Sequence, residues 1–332
     1  MTGTGWVGAD EFRKALRPMV EATRNLTDAI TTMRSERTQP DTESLAMREI
    51  QDDVSYGARS GLDDPFTVIH SLGGLALLAA TDHVRAYGDA FGENSNGAKI
   101  STYAHLVVAR AALEASVVSA WLNEPGVARD ERMKRGLSEF IYSAVEQQRV
   151  RYQPGGWARA REWIEHATNL GWAVTDWGGD TWGRDSRGDP QVDGVMRPGI
   201  PVGVRDLLVG DEASKIGKLE WSRLSAVSHA TWWGLTWAMG FDEAVRNPLS
   251  GLATVPVGTT TSGVMLQAVC ILKALRRAAE TRFELMGWRS DAWTEAVRGS
   301  VAHEGEVLRV VRAAMPSEFA AADAADSSET DE

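Results

Sequence analysis

The sequence predicts an all-α protein, a multi-helix bundle of about eight to ten helices with one long irregular loop. Apolar residues recur at three- and four-residue spacing over most of the chain, which is typical of helices that bury one face. Alternation of apolar and polar residues never persists long enough to build a sheet. The helical period fails only between residues 171 and 203, which are rich in glycine, aspartate, tryptophan and proline.

Three helices are predicted in the first part of the chain. The first covers residues 10–34, has one apolar side and ends before a Thr-Gln-Pro-Asp break. The second covers residues 41–56 and begins with acids, which the positive end of the helix dipole favours. The third covers residues 65–91 and follows Asp63-Asp64-Pro65, because aspartate suits the N-cap and proline the first helical position. Its Gly73-Gly74 pair predicts the close approach of another helix.

Further helices lie on both sides of the irregular loop. Residues 101–123 form the clearest helix, which Pro125-Gly126 ends. The helix over residues 129–150 follows so closely that the two are predicted to be an antiparallel pair. The others cover residues 157–170, 218–239, 262–286 and 290–314. The 171–203 loop is long for a compact domain, which indicates a functional segment, a lid or disorder.

The chain is predicted to have one main domain. Residues 1–60 are N-terminal helices that pack on a main helical domain over residues 61–315, and residues 316–332 are a disordered acidic tail. The tail holds six of the acids, so the body carries about −5 of the net charge of −11, which argues mildly against nucleic-acid binding. The chain begins without a secretory pattern, and its best apolar run, residues 68–80, is short for a membrane span. We therefore expect a cytoplasmic protein that does not associate with membranes.

No cofactor and no metal site is predicted. The single cysteine, Cys270, cannot form an intramolecular disulfide or a thiolate-rich zinc site. The acidic pairs Asp52-Asp53 and Asp63-Asp64 lack further acids at helical spacing, and the acids of the loop lack the spacing of an EF-hand. Nucleotide-binding, nucleophile-elbow and zinc-protease motifs are absent from the sequence.

The strongest candidate site lies on the predicted helix over residues 218–239, KLEWSRLSAVSHATWWGLTWAM. Three- and four-residue spacing places one imidazole, one hydroxyl and three indoles on a single face. These residues are Trp221, Ser225, His229, Trp232 and Trp233. The combination offers polar groups between flat apolar walls, as in a binding or catalytic site. The alternative is a core helix with a hydrogen-bonded histidine.

Two other groups of charged residues could contribute to a site. Arg110 and Glu114 lie four residues apart on an apolar helix, so a partly buried pair is expected there. This pair is either a structural clamp or a substrate-binding element. The cations at residues 129–135 either hold phosphate or begin a solvated helix.

Two segments carry a resemblance to a known superfamily. RAALEASVVSAWL (residues 110–122) and RLSAVSHATWWGL (residues 223–235) are similar to uncharacterised actinobacterial helical proteins. These in turn distantly resemble the HEPN-like superfamily, which includes abortive-infection and toxin proteins. Its ribonuclease members share an arginine and a histidine separated by four to six residues, and Arg223 and His229 fit this motif, with Leu224 where active members often have a polar residue.

The resemblance implies a metal-independent ribonuclease of the defence or toxin type that acts as a homodimer on RNA. His229 would be the general base or acid on a ribose 2′-hydroxyl, and Arg223 would stabilise the transition state. Ser225 is taken as a third catalytic residue. Six residues along a regular helix separate two side chains by about 120°. The motif can therefore converge only in an irregular helix or between two subunits.

Two alternatives come from other functional classes. The thirteen tryptophans could line a cavity for a small hydrophobic or cationic ligand, with the 171–203 loop as its lid. The polar contacts of this cavity would be His229, Ser225, Arg110 and Glu114. Such a protein would bind a small molecule or make a natural product. The remaining alternative is a non-enzymatic interaction module with an exposed apolar patch.

Overall fold

The computed structural model describes residues 9–91, 103–149, 155–176, 189–208, 212–229, 245–246, 253–254 and 261–314. Eleven helices occur in these ranges, which confirms the all-α fold class. They are α1 (Ala9–Glu36), α2 (Leu45–Gln51), α3 (Asp53–Ser60), α4 (Pro65–Phe91), α5 (Ala104–Asn123), α6 (Arg129–Arg149), α7 (Gly156–Asn169), α8 (Ile200–Leu207), α9 (Glu212–Ser228), α10 (Thr261–Met286) and α11 (Asp291–Ala314).

The helix boundaries differ from the sequence prediction at several points, among them the start of α9, which is Glu212 and not residue 218. The predicted helix over residues 41–56 is divided at Asp52 into α2 and α3. Ser44 is the N-cap of α2, since its side chain accepts the N–H of Met47 at 3.1 Å. The first four residues of α8 lie in the stretch that the sequence assigned to the loop, and Pro201 lies in its first turn, where a missing N–H costs no helical hydrogen bond.

The N-terminus of α4 is capped by a residue that the sequence did not indicate. Asp53, on α3, accepts the backbone N–H of Phe66 at 2.6 Å and the hydroxyl of Thr67 at 2.9 Å. Asp64, the expected cap, has a φ of 44°. Asp64 does occupy the N-cap position, since its carbonyl accepts the N–H of Val68 at 3.0 Å, but the capping carboxylate comes from a different helix.

The main core surrounds α5, which packs against α4, α10 and α9. α1 packs against α4 and also contacts α10 and α11. A second core joins α3, α6 and α7. The predicted pairing of α5 with α6 is wrong, because each helix buries its apolar surface in a different core. Among the described helices, α5 is long and apolar enough to cross a membrane, and 61% of that segment is buried within the bundle.

The described part of the 171–203 stretch contains three two-residue strands in one antiparallel sheet. They are β1 (Val174–Thr175), β2 (Gln191–Val192) and β3 (Val195–Met196), in that order. The sheet packs on α6, where Ser138 Oγ donates to the carbonyl of Pro190 at 2.9 Å. A separate antiparallel pair joins β4 (Val245–Arg246) and β5 (Ala253–Thr254). Two residues are too short to produce a detectable alternation in the sequence.

The Gly73-Gly74 pair of α4 admits two polar side chains from neighbouring helices. A Cβ atom on Gly73 would lie 2.5 Å from Asn123 Oδ1, and one on Gly74 would lie 3.3 Å from Arg282 Nη2. Asn123 belongs to α5 and Arg282 to α10, so the predicted close approach at this pair is confirmed.

Candidate functional site

His229 lies at the end of α9, beside the middle of α5. Its N–H donates to the carbonyl of Ser225 at 3.0 Å, so the helical hydrogen bonding of α9 extends to the histidine. The imidazole is exposed, and its Nε2 lies 3.2 Å from Arg110 Nη1. A guanidinium group can only donate a hydrogen bond. In this contact Nε2 is therefore the acceptor, and the neutral ring carries its proton on Nδ1.

The Arg110 guanidinium is held from a second side. Its Nε donates to Glu114 Oε1 at 2.6 Å, one turn further along α5. Its Cζ lies 5.9 Å from the centre of the Trp221 ring on α9, within the range of a cation–π contact. Arg110 and Glu114 are both partly buried. We refer to Arg110, Glu114, Trp221 and His229 as the α5–α9 site.

The indole of Trp221 lines this site on the side of the main core, and its N–H is a hydrogen-bond donor without a partner among the described residues. The indole is partly buried and packs against the main core. Its Nε1 is buried and has no hydrogen-bond partner within the described part of the chain. Buried donors are nearly always satisfied, so this atom marks a position where an acceptor would be stabilised.

Arg223 is directed away from His229. Its Nη1 donates to Glu220 Oε1 at 2.9 Å, and that carboxylate is only 1% exposed. α9 is a regular helix over this interval, so the six-residue spacing keeps the two side chains about 120° apart. Within one chain, the structure brings His229 together with Arg110 and not with Arg223.

The other predicted site residues are placed as follows. Ser225 lies one turn before His229 and is partly exposed, and its backbone carbonyl is the acceptor described above. Trp232 and Trp233 lie outside the described residues, as does the acidic tail at 316–332. The described part of the predicted lid is anchored on α6 and α7, since β2 and β3 contact α6 and β1 contacts α7.

Neither a cluster of metal-binding side chains nor a reactive thiol is found among the described residues. Within the described ranges, no three side chains of His, Cys, Asp or Glu are grouped so that they could hold a metal ion. Cys270 is fully buried in α10, and burial raises the pKa of its thiol well above the ordinary value. The thiol therefore stays protonated in the core.

A buried charged cluster between α2, α4 and α6 was missed by the sequence analysis. Arg132 is 0% exposed, and its Nε donates to Glu49 Oε1 at 3.0 Å. Its two Nη atoms donate to the carbonyls of Leu122 and Glu124, which end α5. The second oxygen of Glu49 lies 3.0 Å from His70 Nε2.

The ionisation of this cluster follows from its burial. Burial alone would raise the pKa of Glu49, but the close contact with His70 and the charge of Arg132 leave it below its usual value. Burial lowers the pKa of His70, although Glu49 opposes that shift. At neutral pH the carboxylate is therefore charged and the imidazole is neutral.

The cations at residues 129–135 are held by acids. The pairs are Arg129 with Asp52, Arg132 with Glu49, Lys134 with Asp193, and Arg135 with Glu124 and Glu131. They form neither of the two arrangements that the sequence indicated, a phosphate site or a simple solvated helix start. No local sequence signal marks Arg132 as buried, because charged residues on a helix are usually solvated.

Comparison with known proteins identified no relative: no family model matches the chain, no curated protein is similar to it, and no solved structure matches it.

Proposed function

We propose that the protein is an HEPN-like, metal-independent ribonuclease in which His229 and Arg110 are the catalytic pair. The observation that carries the proposal is the 3.2 Å contact between Arg110 Nη1 and His229 Nε2 at an exposed position. An imidazole can exchange protons near neutral pH, and a guanidinium fork matches the oxygens of a phosphate group. Two groups suited to phosphodiester transfer thus lie within one hydrogen bond of each other.

The proposed reaction uses the ribose 2′-hydroxyl as the nucleophile. His229 Nε2 accepts the hydroxyl proton, the 2′ oxygen forms a bond to phosphorus, and the bond from phosphorus to the 5′ oxygen breaks. The products are a 2′,3′-cyclic phosphate and a 5′-hydroxyl, whose proton comes from water or from the imidazolium. Arg110 turns from His229 to the phosphate and stabilises the negative charge that develops on its oxygens.

The neighbouring residues have supporting roles in this proposal. Glu114 occupies Nε of Arg110, which leaves the Nη edge of the guanidinium for the substrate. Arg223 fits the family motif in sequence, but we assign it a structural role through Glu220. RNA as the substrate, a homodimer and a cytoplasmic location belong to the same proposal and stay predictions.

The test is an RNA cleavage assay with EDTA present. Wild type is expected to cleave single-stranded RNA and to leave cyclic phosphate ends, and His229→Ala is expected to lose this activity, because the proton acceptor is gone. His83→Ala is the matched control, since His83 is a partly exposed histidine on α4. Circular dichroism first establishes that all three proteins are folded. Intact RNA after incubation with folded wild type would exclude the nuclease proposal.

A second candidate, a small-molecule binding protein, is favoured by the buried Nε1 of Trp221. A ligand with a carbonyl or other acceptor could bind this donor while its flat part stacks near Arg110. In a thermal-shift screen, a ligand of this kind should stabilise wild type but bind Trp221→Phe more weakly. The phenylalanine keeps an aromatic ring and lacks the donor. Equal shifts for the two proteins would show that Trp221 Nε1 does not contact the ligand.

A further inference from the structure

A small cavity lies along the contact between α1 and α4. Its volume is about 180 Å³, and residues of both helices line it. Thr23 of α1 lies against Gly88 of α4, where an added Cβ atom would meet the threonine hydroxyl. Further along α1, Asp28 pairs with Arg85, which comes before Gly88 on α4. The two helices are therefore antiparallel beside the cavity.

Two charged pairs face each other across this contact. Arg85 Nη2 donates to Asp28 Oδ1 at 2.9 Å and to Thr31 Oγ1 at 3.2 Å. One turn back along α1 is Arg24, and one turn further along α4 is Asp89. Because the helices are antiparallel, these two residues also face each other, and both line the cavity together with Asp28 and Arg85.

The pair of Arg24 and Asp89 is open, whereas the pair of Asp28 and Arg85 is closed. Over the ranges that the structure describes, neither Arg24 nor Asp89 forms an ion pair. Both side chains are exposed, so a molecule from solvent can reach them. One cavity is thus lined by a cation and an anion that do not neutralise each other.

The inner wall of the cavity adds an acceptor and an apolar surface. Thr23 is 1% exposed, and its hydroxyl donates to the carbonyl of Val20 at 2.7 Å. Because its proton is used in this way, Thr23 Oγ1 can only accept a further hydrogen bond. The side chain of Val20 also lines the cavity and is apolar. The absence of a side chain at Gly88 keeps this wall open.

We propose that this cavity binds a small zwitterion, an α-amino acid with a short apolar side chain. Arg24 donates to the ligand carboxylate, since a guanidinium presents paired donors that match a carboxylate. The ligand ammonium group donates to Asp89 and to Thr23 Oγ1. The ligand side chain lies against Val20. A volume of 180 Å³ corresponds to roughly six water molecules, which is close to the size of alanine.

The balance of charge in the cavity disfavours ions of a single sign. Two arginines and two aspartates line it, so the charges of its walls cancel. A simple anion bound to Arg24 would lie near the like charge of Asp89, and a simple amine would meet the reverse situation. A zwitterion supplies a partner to both groups. This inference does not depend on the α5–α9 site.

The experiment follows the melting temperature of the full chain as L-alanine is added. Wild type is expected to show a rise that saturates, because a ligand that binds only the folded state stabilises it up to the occupancy of the site. A solute that is merely excluded from the protein surface raises the melting temperature steadily and without saturation. Propionate and ethylamine each carry one of the two charges. At equal concentration and ionic strength they should give no saturable rise.

Two variants test the assigned contacts. Arg24→Gln and Asp89→Asn are each expected to weaken the apparent affinity for L-alanine by roughly tenfold or more, since each removes a charge-assisted hydrogen bond. Arg17→Gln and Asp82→Asn are the matched controls. They make the same charge changes at exposed positions on the same two helices, outside the cavity, and should keep the wild-type affinity.

Three outcomes would overturn the proposal: a rise with L-alanine that does not saturate, an equal saturable rise with propionate or ethylamine, or wild-type affinity in Arg24→Gln. Should Arg24→Gln not fold, Arg24→Lys takes its place in a titration with L-alanine followed by NMR. The lysine keeps the charge and loses the paired donors, so a weaker affinity is expected. Unchanged affinity in that variant would contradict the assigned contact.

Discussion

Replacing Glu49 with alanine is expected to lower the free energy of unfolding by about 3–5 kcal/mol. The change leaves the Arg132 guanidinium, which is 0% exposed, with only carbonyl acceptors in a place that water does not reach. It also removes the carboxylate that opposes the lowering of the His70 pKa by burial. Urea denaturation followed by circular dichroism measures the effect, with the unfolding slope checked for constancy.

Glu21→Ala is the control for this prediction. Glu21 pairs with Arg17 on α1, but these side chains are 57% and 67% exposed, so a loss below about 1 kcal/mol is expected. A double change, Glu49→Leu with Arg132→Met, should cost less than Glu49→Ala alone, because it leaves no unpaired buried charge. Equal losses for Glu49→Ala and Glu21→Ala would show that the cluster is solvated.

Arg110→Ala is expected to reduce RNA cleavage by about 10²–10³-fold while the stability changes little. Its guanidinium contacts the imidazole of His229, the proposed proton acceptor, and is partly accessible to solvent. Arg223→Ala should have the opposite profile. The cleavage rate of the folded fraction should be retained, and the free energy of unfolding should fall, because the buried Glu220 carboxylate loses an ion-pair partner. Both variants are measured for kcat/KM and for their urea midpoint.

The cleavage rates of these two variants decide which arginine is catalytic. Arg223 is the arginine of the HEPN-like motif, and Arg110 is the arginine that contacts His229. If folded Arg223→Ala loses cleavage and Arg110→Ala keeps it, the motif arginine is catalytic and our assignment of Arg110 is wrong. Arg110→Lys refines the result. A lysine keeps the charge but cannot present a planar fork, so it is expected to restore only part of the rate.

The parts of the fold that the sequence predicted are those fixed by local interactions. α4 begins at Pro65 and α5 ends at Asn123, close to the predicted boundaries, because proline, glycine and helical periodicity act within a few residues. The capping of α4 by Asp53 could not be predicted in the same way. That carboxylate belongs to another helix, so its role depends on how the two helices pack.

The α5–α9 site also combines features that the local sequence predicts with features that depend on how the helices pack. Helix-face spacing selected His229 and Trp221 on one helix and Arg110 on another, but no local pattern reveals that α9 lies against α5. The buried cluster was hidden for a related reason. Charged residues such as Glu49 and Arg132 usually mark a solvated helix face, and only tertiary packing shows that these two are in the interior.

The central position of α5 has a consequence for the synthesis of the chain. α5 is complete once Asn123 has left the ribosome, whereas α10, one of the helices that covers it, begins only at Thr261. At a synthesis rate of about 5–20 residues per second, this interval lasts on the order of ten seconds. During that time one apolar surface of the nascent chain has no native partner. We therefore expect the newly made protein to depend on ribosome-associated chaperones until its C-terminal third emerges.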